Sequence, residues 1–231
     1  GNKIAAVRVL EVVNARNPDL KTQIKLLEEY YGLRRWNEFR LILDQAAERV
    51  KDAGTLSGEE EKILQRLCVQ LDGERASVAE HTSDFKTTVK LYLNLFKNSP
   101  IREKMMLGWI AAESDVQNKL SQLTEWITEA KQQSDAVSEI KWREMRADLA
   151  AKAKNHNIVV VEMQALKQLA VTTSKKREYR YIESHANYEL RNLDLAMQGF
   201  TEVGDKNNPD RLSIQSQNLI LDILNQQKKY A

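Results

Sequence analysis

Three histidines, His81, His156 and His185, and a single cysteine, Cys68, are the side chains of this chain best suited to metal ligation or nucleophilic chemistry. A structural metal site gathers three or four such ligands in fixed geometry. Here the histidines fall on different expected helices. His81 and His156 sit on apolar seams, so they read as hydrogen-bonded or partly solvated core residues. Cys68 cannot form an internal disulfide. It lies beside Leu67 in a helical pattern, reads as a small packed apolar residue, and fits a reducing compartment. No His-Glu-x-x-His, Gly-x-Ser-x-Gly or phosphate-cradling glycine loop occurs. Glu59-Glu60-Glu61 reads as a solvated first helical turn, where the helix dipole favours acid, rather than as paired catalytic carboxylates. Lys175-Lys176-Arg177 reads as charged surface at another helix start, rather than as an import signal or a lipid contact. Asp205-Lys206-Asn207-Asn208 lacks the ligand spacing of a calcium loop. The expectation is no catalytic residue, no metal and no cofactor.

The elements that hold these residues are helices. Charged residues make up 29% of the 231 and apolar residues 42%, with only 8 Gly and 3 Pro. So few breakers among so much Leu, Ala, Glu, Lys and Gln imply an all-α chain. Its 35 basic and 33 acidic residues nearly balance at +2. There is no basic stripe of the kind that releases counterions from nucleic acid, so no nucleic-acid partner is expected. No run approaches the roughly 20 apolar residues of a membrane span, and no secretory signal is visible. Gly1 reads as the start of an excised piece.

Apolar residues step by three and four over long stretches, which places them on one helix face. One seam runs Leu64, Leu67, Leu71, Val78, His81, Phe85, Tyr92 and Leu95. Another runs Trp142, Met145, Leu149, His156, Val159, Met163 and Leu166. Asn17-Pro18-Asp19, Ser99-Pro100 and Asn207-Asn208-Pro209-Asp210 interrupt the pattern, because Pro fits a first turn and disrupts an interior. Weaker breaks are Gly54 to Gly58, with Ser57 and Glu60 resembling a capping box, Gln133-Ser134-Asp135, and Val171 to Ser174. Gly32 reads as a bend or register change. The resulting segments run about 3–16, 20–53, 58–98, 101–132, 136–170, 175–203 and 210–229. Their starts recur at a spacing near 110 residues, which reads as a repeat of three helices of about 32 residues, each about 48 Å long at 1.5 Å per residue.

The stretch Leu120 to Ala130, with Trp126-Ile127 at its centre, resembles the first helix of a spectrin repeat. Asp148 to His156, leading to Glu162-Met163-Gln164-Ala165-Leu166, resembles the second, and Tyr188 to Leu193 the third. The resemblance covers about residues 101–205; the earlier part matches by length and pattern. Pro100 and Pro209 depart from the continuous helix that often joins such repeats. The resemblance implies an all-α, elongated fold of tandem three-helix bundles: a truncated repeat over 1–99, a second over 100–206, and the start of a further helix from 207 to 231.

It also implies a non-enzymatic spacer and interaction scaffold in a large cytoskeletal or nuclear-envelope linker protein. Rods would set distance, bear tension and meet motor or actin-linked proteins. The expected place is the cytoplasm, including the cytoplasmic face of the nuclear envelope, with a monomer favoured and no membrane contact for this segment. The alternative is a BAR-type membrane-binding dimer, against which the interspersed charges argue. All four tryptophans read as core anchors. Tyr30-Tyr31 and Met105-Met106-Leu107 exceed what one seam needs, so they read as contacts between repeats or as a docking patch. The candidate partner-binding residues are Met105, Met106 and Trp109, beside the Pro100 joint.

Overall fold

The computed structural model describes residues 3–52, 54, 56–204 and 210–227. All regular structure among them is helical. The helices are α1 (Lys3–Arg16), α2 (Leu20–Gly32), α3 (Trp36–Glu48), α4 (Gly58–Glu74), α5 (Ala79–Leu95), α6 (Arg102–Ala112), α7 (Val116–Gln132), α8 (Ala136–Lys152), α9 (His156–Leu169), α10 (Thr173–Glu189), α11 (Leu193–Val203) and α12 (Arg211–Gln226). A 3-10 turn, Arg49–Asp52, follows α3.

No described helix exceeds 17 residues. The expected helices of about 32 residues are therefore corrected: the segments 20–53, 58–98, 101–132, 136–170 and 175–203 are each two helices. Every break read from Pro, Gly or a capping residue falls between helices, except Pro209, which lies outside the described residues. Gly32 ends α2 rather than bending it. The unexpected breaks are not uniform: Asp115 caps α7 through its side chain, whereas three others turn on left-handed residues. Arg34, Lys154 and Arg191 adopt left-handed φ of 55°, 58° and 63°, as does Ser134 at 57°. Each makes a Schellman turn, in which two backbone N–H groups fold back onto the last carbonyls of the helix. Lys154 N–H donates to Ala151 O at 3.0 Å and Asn155 N–H to Ala150 O at 2.8 Å. Glycine is the usual residue at that position, so a basic residue there hides the turn.

Helix starts follow ordinary capping chemistry. Asp19 accepts from Thr22 N–H at 2.9 Å and Asp135 from Ser138 N–H at 3.1 Å. Asp210 accepts from Ser213 N–H, and Glu60 reaches back to Ser57 N–H, both at 2.9 Å.

The chain forms two compact units, Gly1–Ser114 and Asp115–Ala231. In the first, the hairpins α2–α3 and α4–α5 stack, α2 on α4 and α3 on α5, with α1 against α2 and α6 against α5. In the second, each helix from α7 to α12 packs on the next. Helices α8, α9 and α10 begin at 136, 156 and 173, and the helices two further on begin at 173, 193 and 211. The spacing near 110 thus spans about three hairpin steps of 37 or 38 residues. Packing successive antiparallel helices in this way buries one face of each and leaves another open.

Candidate functional site

The chemistry-bearing side chains do not converge. The described residues contain no group of three or more His, Cys, Asp or Glu placed to hold a metal ion. His81 on α5 is buried, its Nδ1 3.3 Å from Asp84 and its Nε2 3.4 Å from Glu74, with the Trp36 ring 4.4 Å away between centroids. His156 opens α9. His185 is half-exposed on α10, 4.0 Å from Glu189. Burial pushes the Cys68 thiol up to about 12, so it stays protonated and unreactive.

The carboxylates at the start of α4 are not the solvated turn that was expected. Glu59 is exposed, but Glu60 is fully buried and Glu61 accepts from Tyr92 Oη of α5 at 2.9 Å. This corrects the reading of the acidic run: two of its members hold structure. The basic run at the start of α10 is used in a similar way. Arg177 donates to Val203 O at 2.8 Å and to Asp210, tying the end of α11 to the start of α12. Tyr30 and Tyr31 tie α2 to the helices beside it. Tyr30 Oη donates to Glu11 of α1 at 2.8 Å and Tyr31 Oη to Glu74 of α4 at 2.7 Å.

Met105, Met106 and Trp109 lie together on α6 and are buried, with 5%, 5% and 3% of their surface exposed. The Lys90 ammonium sits 5.0 Å from the centroid of the Trp109 ring. Gly108 sits so close to Phe85 that an added Cβ would be 3.4 Å from the ring. These residues pack α6 onto its neighbours, and Met105 also lines an open surface.

That surface is a groove of about 650 Å³ between α4 and α6. On the α4 side Glu59, Lys62, Gln65, Arg66 and Val69 recur at helical spacing, which puts them on one face. Ile101, Lys104 and Met105 form the other wall. Its apolar surface comes from Val69, Ile101 and Met105, with Val69 58% exposed. Three cations stand along it: Lys62, Arg66 and Lys104. Arg66 pairs with Glu28 of α2 at 2.5 Å. Among the described residues, neither Lys62 nor Lys104 has a hydrogen-bonding or ion-pair partner. From Glu59 to Gln70 the α4 wall runs about 16 Å at 1.5 Å per residue.

Sequence reasoning reached Met105 but not the groove, because α4 and α6 are brought together by the turn at Arg75 to Val78 and by the α5 hairpin between them. The signal that could have found it is the i, i+4, i+7 series Lys62, Arg66, Val69, which leaves the apolar seam of α4 and carries both charge and an exposed valine. No described helix is long and apolar enough to cross a membrane. Comparison with protein-family models, with curated proteins and with solved structures finds no match.

Proposed function

We propose that this chain is a non-enzymatic protein-interaction scaffold, a stack of short helical hairpins that holds a groove open for a segment of another protein. The observation that carries this reading is the α4–α6 groove itself. It is an open surface groove with helical walls and an apolar surface with charge beside it, the combination that peptide-binding helical grooves use. From the spectrin resemblance we retain this interaction role. The mechanical rod that it implied needs helices about twice as long as those present. A cytoskeletal or nuclear-envelope setting rests on the resemblance alone, supported by the Trp126-Ile127 motif, whose Trp126 ring packs 5.4 Å from that of Trp142.

The test is selection of a random 16-residue peptide display library on the folded chain, counter-selected on the heat-unfolded chain. A scaffold enriches sequences held by the folded chain alone. Failure to enrich overturns the reading. Co-sedimentation with anionic vesicles, together with a dimeric solution mass, would then favour the BAR-type alternative.

A further inference from the structure

We infer that the α4–α6 groove takes an acidic segment with apolar anchors, its carboxylates meeting Lys62 and Lys104 and its apolar side chains meeting Val69, Ile101 and Met105. This rests on the scaffold reading above and gives its site a partner chemistry.

Charge complementarity is the first argument. Lys62, Arg66 and Lys104 face one groove in which Glu59 is the only lining carboxylate among the described residues. The whole chain carries only +2 over 35 basic and 33 acidic residues, so this local excess is a departure from its surroundings. Several cations elsewhere are paired internally. Arg40 is bound to Asp84 and Glu80, Lys86 to Glu113, Arg143 to Glu139 and Glu162, and Arg180 to Glu183 and Glu202. Lys62 and Lys104 lie on opposite walls and are left without such a partner among the described residues. Arg66 is already paired with Glu28 and is therefore a weaker contributor.

The second argument is the surface between the cations. Val69 stands exposed in the groove, with Ile101 half-buried and Met105 buried in the facing wall. A lone exposed valine on a helix is ordinary. One that faces two further apolar side chains across a groove offers a place for an apolar anchor, and methionine adapts to varied shapes. Apolar burial supplies affinity there, while the lysines set orientation and reject basic sequences. The wall of about 16 Å accommodates three turns of helix or about five extended residues.

The test reads the composition and site of the selected peptides. The folded chain and its Lys62→Glu/Lys104→Glu variant are screened in parallel. Both side chains are exposed and unpaired, so the variant keeps its helical circular dichroism. The expected pool is net acidic with at least two apolar residues. Its members should bind the variant at least tenfold more weakly, and binding to the native chain should weaken from 50 to 300 mM salt. Val69→Glu should also weaken binding, and amide shifts on binding should fall on α4 and α6. A pool without acidic excess, or one bound equally by the double variant, overturns this inference and leaves the scaffold reading standing. The absence of any pool overturns both.

Discussion

The first unit fills its interior mainly with large apolar side chains, whereas the second uses more small ones; both bury charged side chains, and the second gathers its own into ion clusters that bridge helices. In the first, Ile24, Leu26, Leu27, Phe39, Leu64, Leu67, Leu71 and Tyr92 are all essentially inaccessible. In the second, alanines at 147, 150, 186 and 196 stand among Leu123, Val159, Leu166 and Phe200. Beside them lies an ion cluster. Arg143 donates to Glu139 at 2.8 Å and to Glu162 at 2.6 Å, and Arg146 closes on the other oxygen of Glu162. A second cluster joins Lys167 and Arg180 to Glu183, with Arg180 also bonded to Glu202 at 2.6 Å. Small side chains let helices approach closely. The charged groups link α8 to α9 and α9 through α10 to α11. The same hairpin plan is thus held by two balances of the same forces, the second leaning more on small side chains and on ion clusters that bridge successive helices.

The largest effect should come from breaking these ion clusters. Glu162→Ala leaves Arg143 and Arg146 without their shared carboxylate in a site where Glu162 is 1% exposed. Removing one partner of a buried pair costs about 3–5 kcal/mol. Replacing Arg143, Arg146 and Glu162 together by Met or Leu should come out near neutral, because the desolvation of all three charges disappears with them. In the first unit Leu67→Ala should cost about 2–5 kcal/mol, and no compensating partner exists to restore it. Hydrogen exchange read separately on α4 and α9 distinguishes the two. If Glu162→Ala costs less than about 1 kcal/mol there, the ion cluster is ornament and the contrast between the units collapses.

A second test concerns how closely the small residues let helices approach. A Cβ built on Gly199 of α11 would stand 1.9 Å from Ser184 Oγ and 3.0 Å from Ser184 Cβ on α10. It would also press on Arg180, which holds Glu202. Gly199→Ala should therefore destabilise the second unit by about 1–3 kcal/mol, despite the helix propensity gained. Pairing it with Ser184→Gly should restore much of that loss, which urea midpoints will show. By contrast Gly73→Ala in α4 meets nothing within 4 Å and should stabilise by up to about 1 kcal/mol.

The tyrosine ties of the first unit predict a response to alkali. Burial and the carboxylates of Glu11 and Glu74 push Tyr30 and Tyr31 up to about 12. Their folded values lie above the unfolded value near 10, so their contribution is full below about pH 10 and is lost as pH rises towards 12. Tyr30→Phe and Tyr31→Phe should each cost about 1 kcal/mol at neutral pH and flatten the alkaline decline. Thermal unfolding at pH 7 and pH 11 reads both quantities. A native chain and a double-Phe variant with parallel losses between those pH values would sever the link between these hydrogen bonds and the alkaline response.

These cases also show what could be read from the residues. Every proline, glycine or capping signal with a described counterpart marked a true helix end, and the all-helical content followed from the scarcity of breakers. Trp126, Trp142 and Cys68 were legible as core, because seam position and burial go together. Helix length was not legible. An apolar seam continues in phase across a three-residue turn, since both helices of a hairpin keep their apolar faces inward. Three of the reversals turn on a left-handed φ that Arg or Lys does not advertise, and those after α4 and α6 use no left-handed residue at all. The acidic run at α4 misled for a related reason. Its fate depends on Tyr92 and Ser57, and the fold alone brings Tyr92 to it. The groove was invisible because its walls are separated in sequence by all of α5.

The smallest effect concerns those hidden turns, and it has the opposite sign. Lys154 holds φ of 58° between α8 and α9, and its side chain makes no hydrogen bond or ion pair among the described residues. The left-handed region costs a non-glycine residue about 1 kcal/mol or more, while glycine loses more freedom on folding. Because the first term is the larger, Lys154→Gly should stabilise the second unit by a few tenths to about 1 kcal/mol, visible as a small rise in its urea midpoint. Arg191→Gly should gain less, because Arg191 also donates to Gln226 of α12 at 2.7 Å. Lys154→Val tests the sign from the other side, since a β-branched residue is least tolerant of this φ, and it should shift the midpoint downward. If Gly and Val at 154 move stability together, the turn does not hold the left-handed geometry, and α8 and α9 are the single long helix that their shared apolar seam suggests.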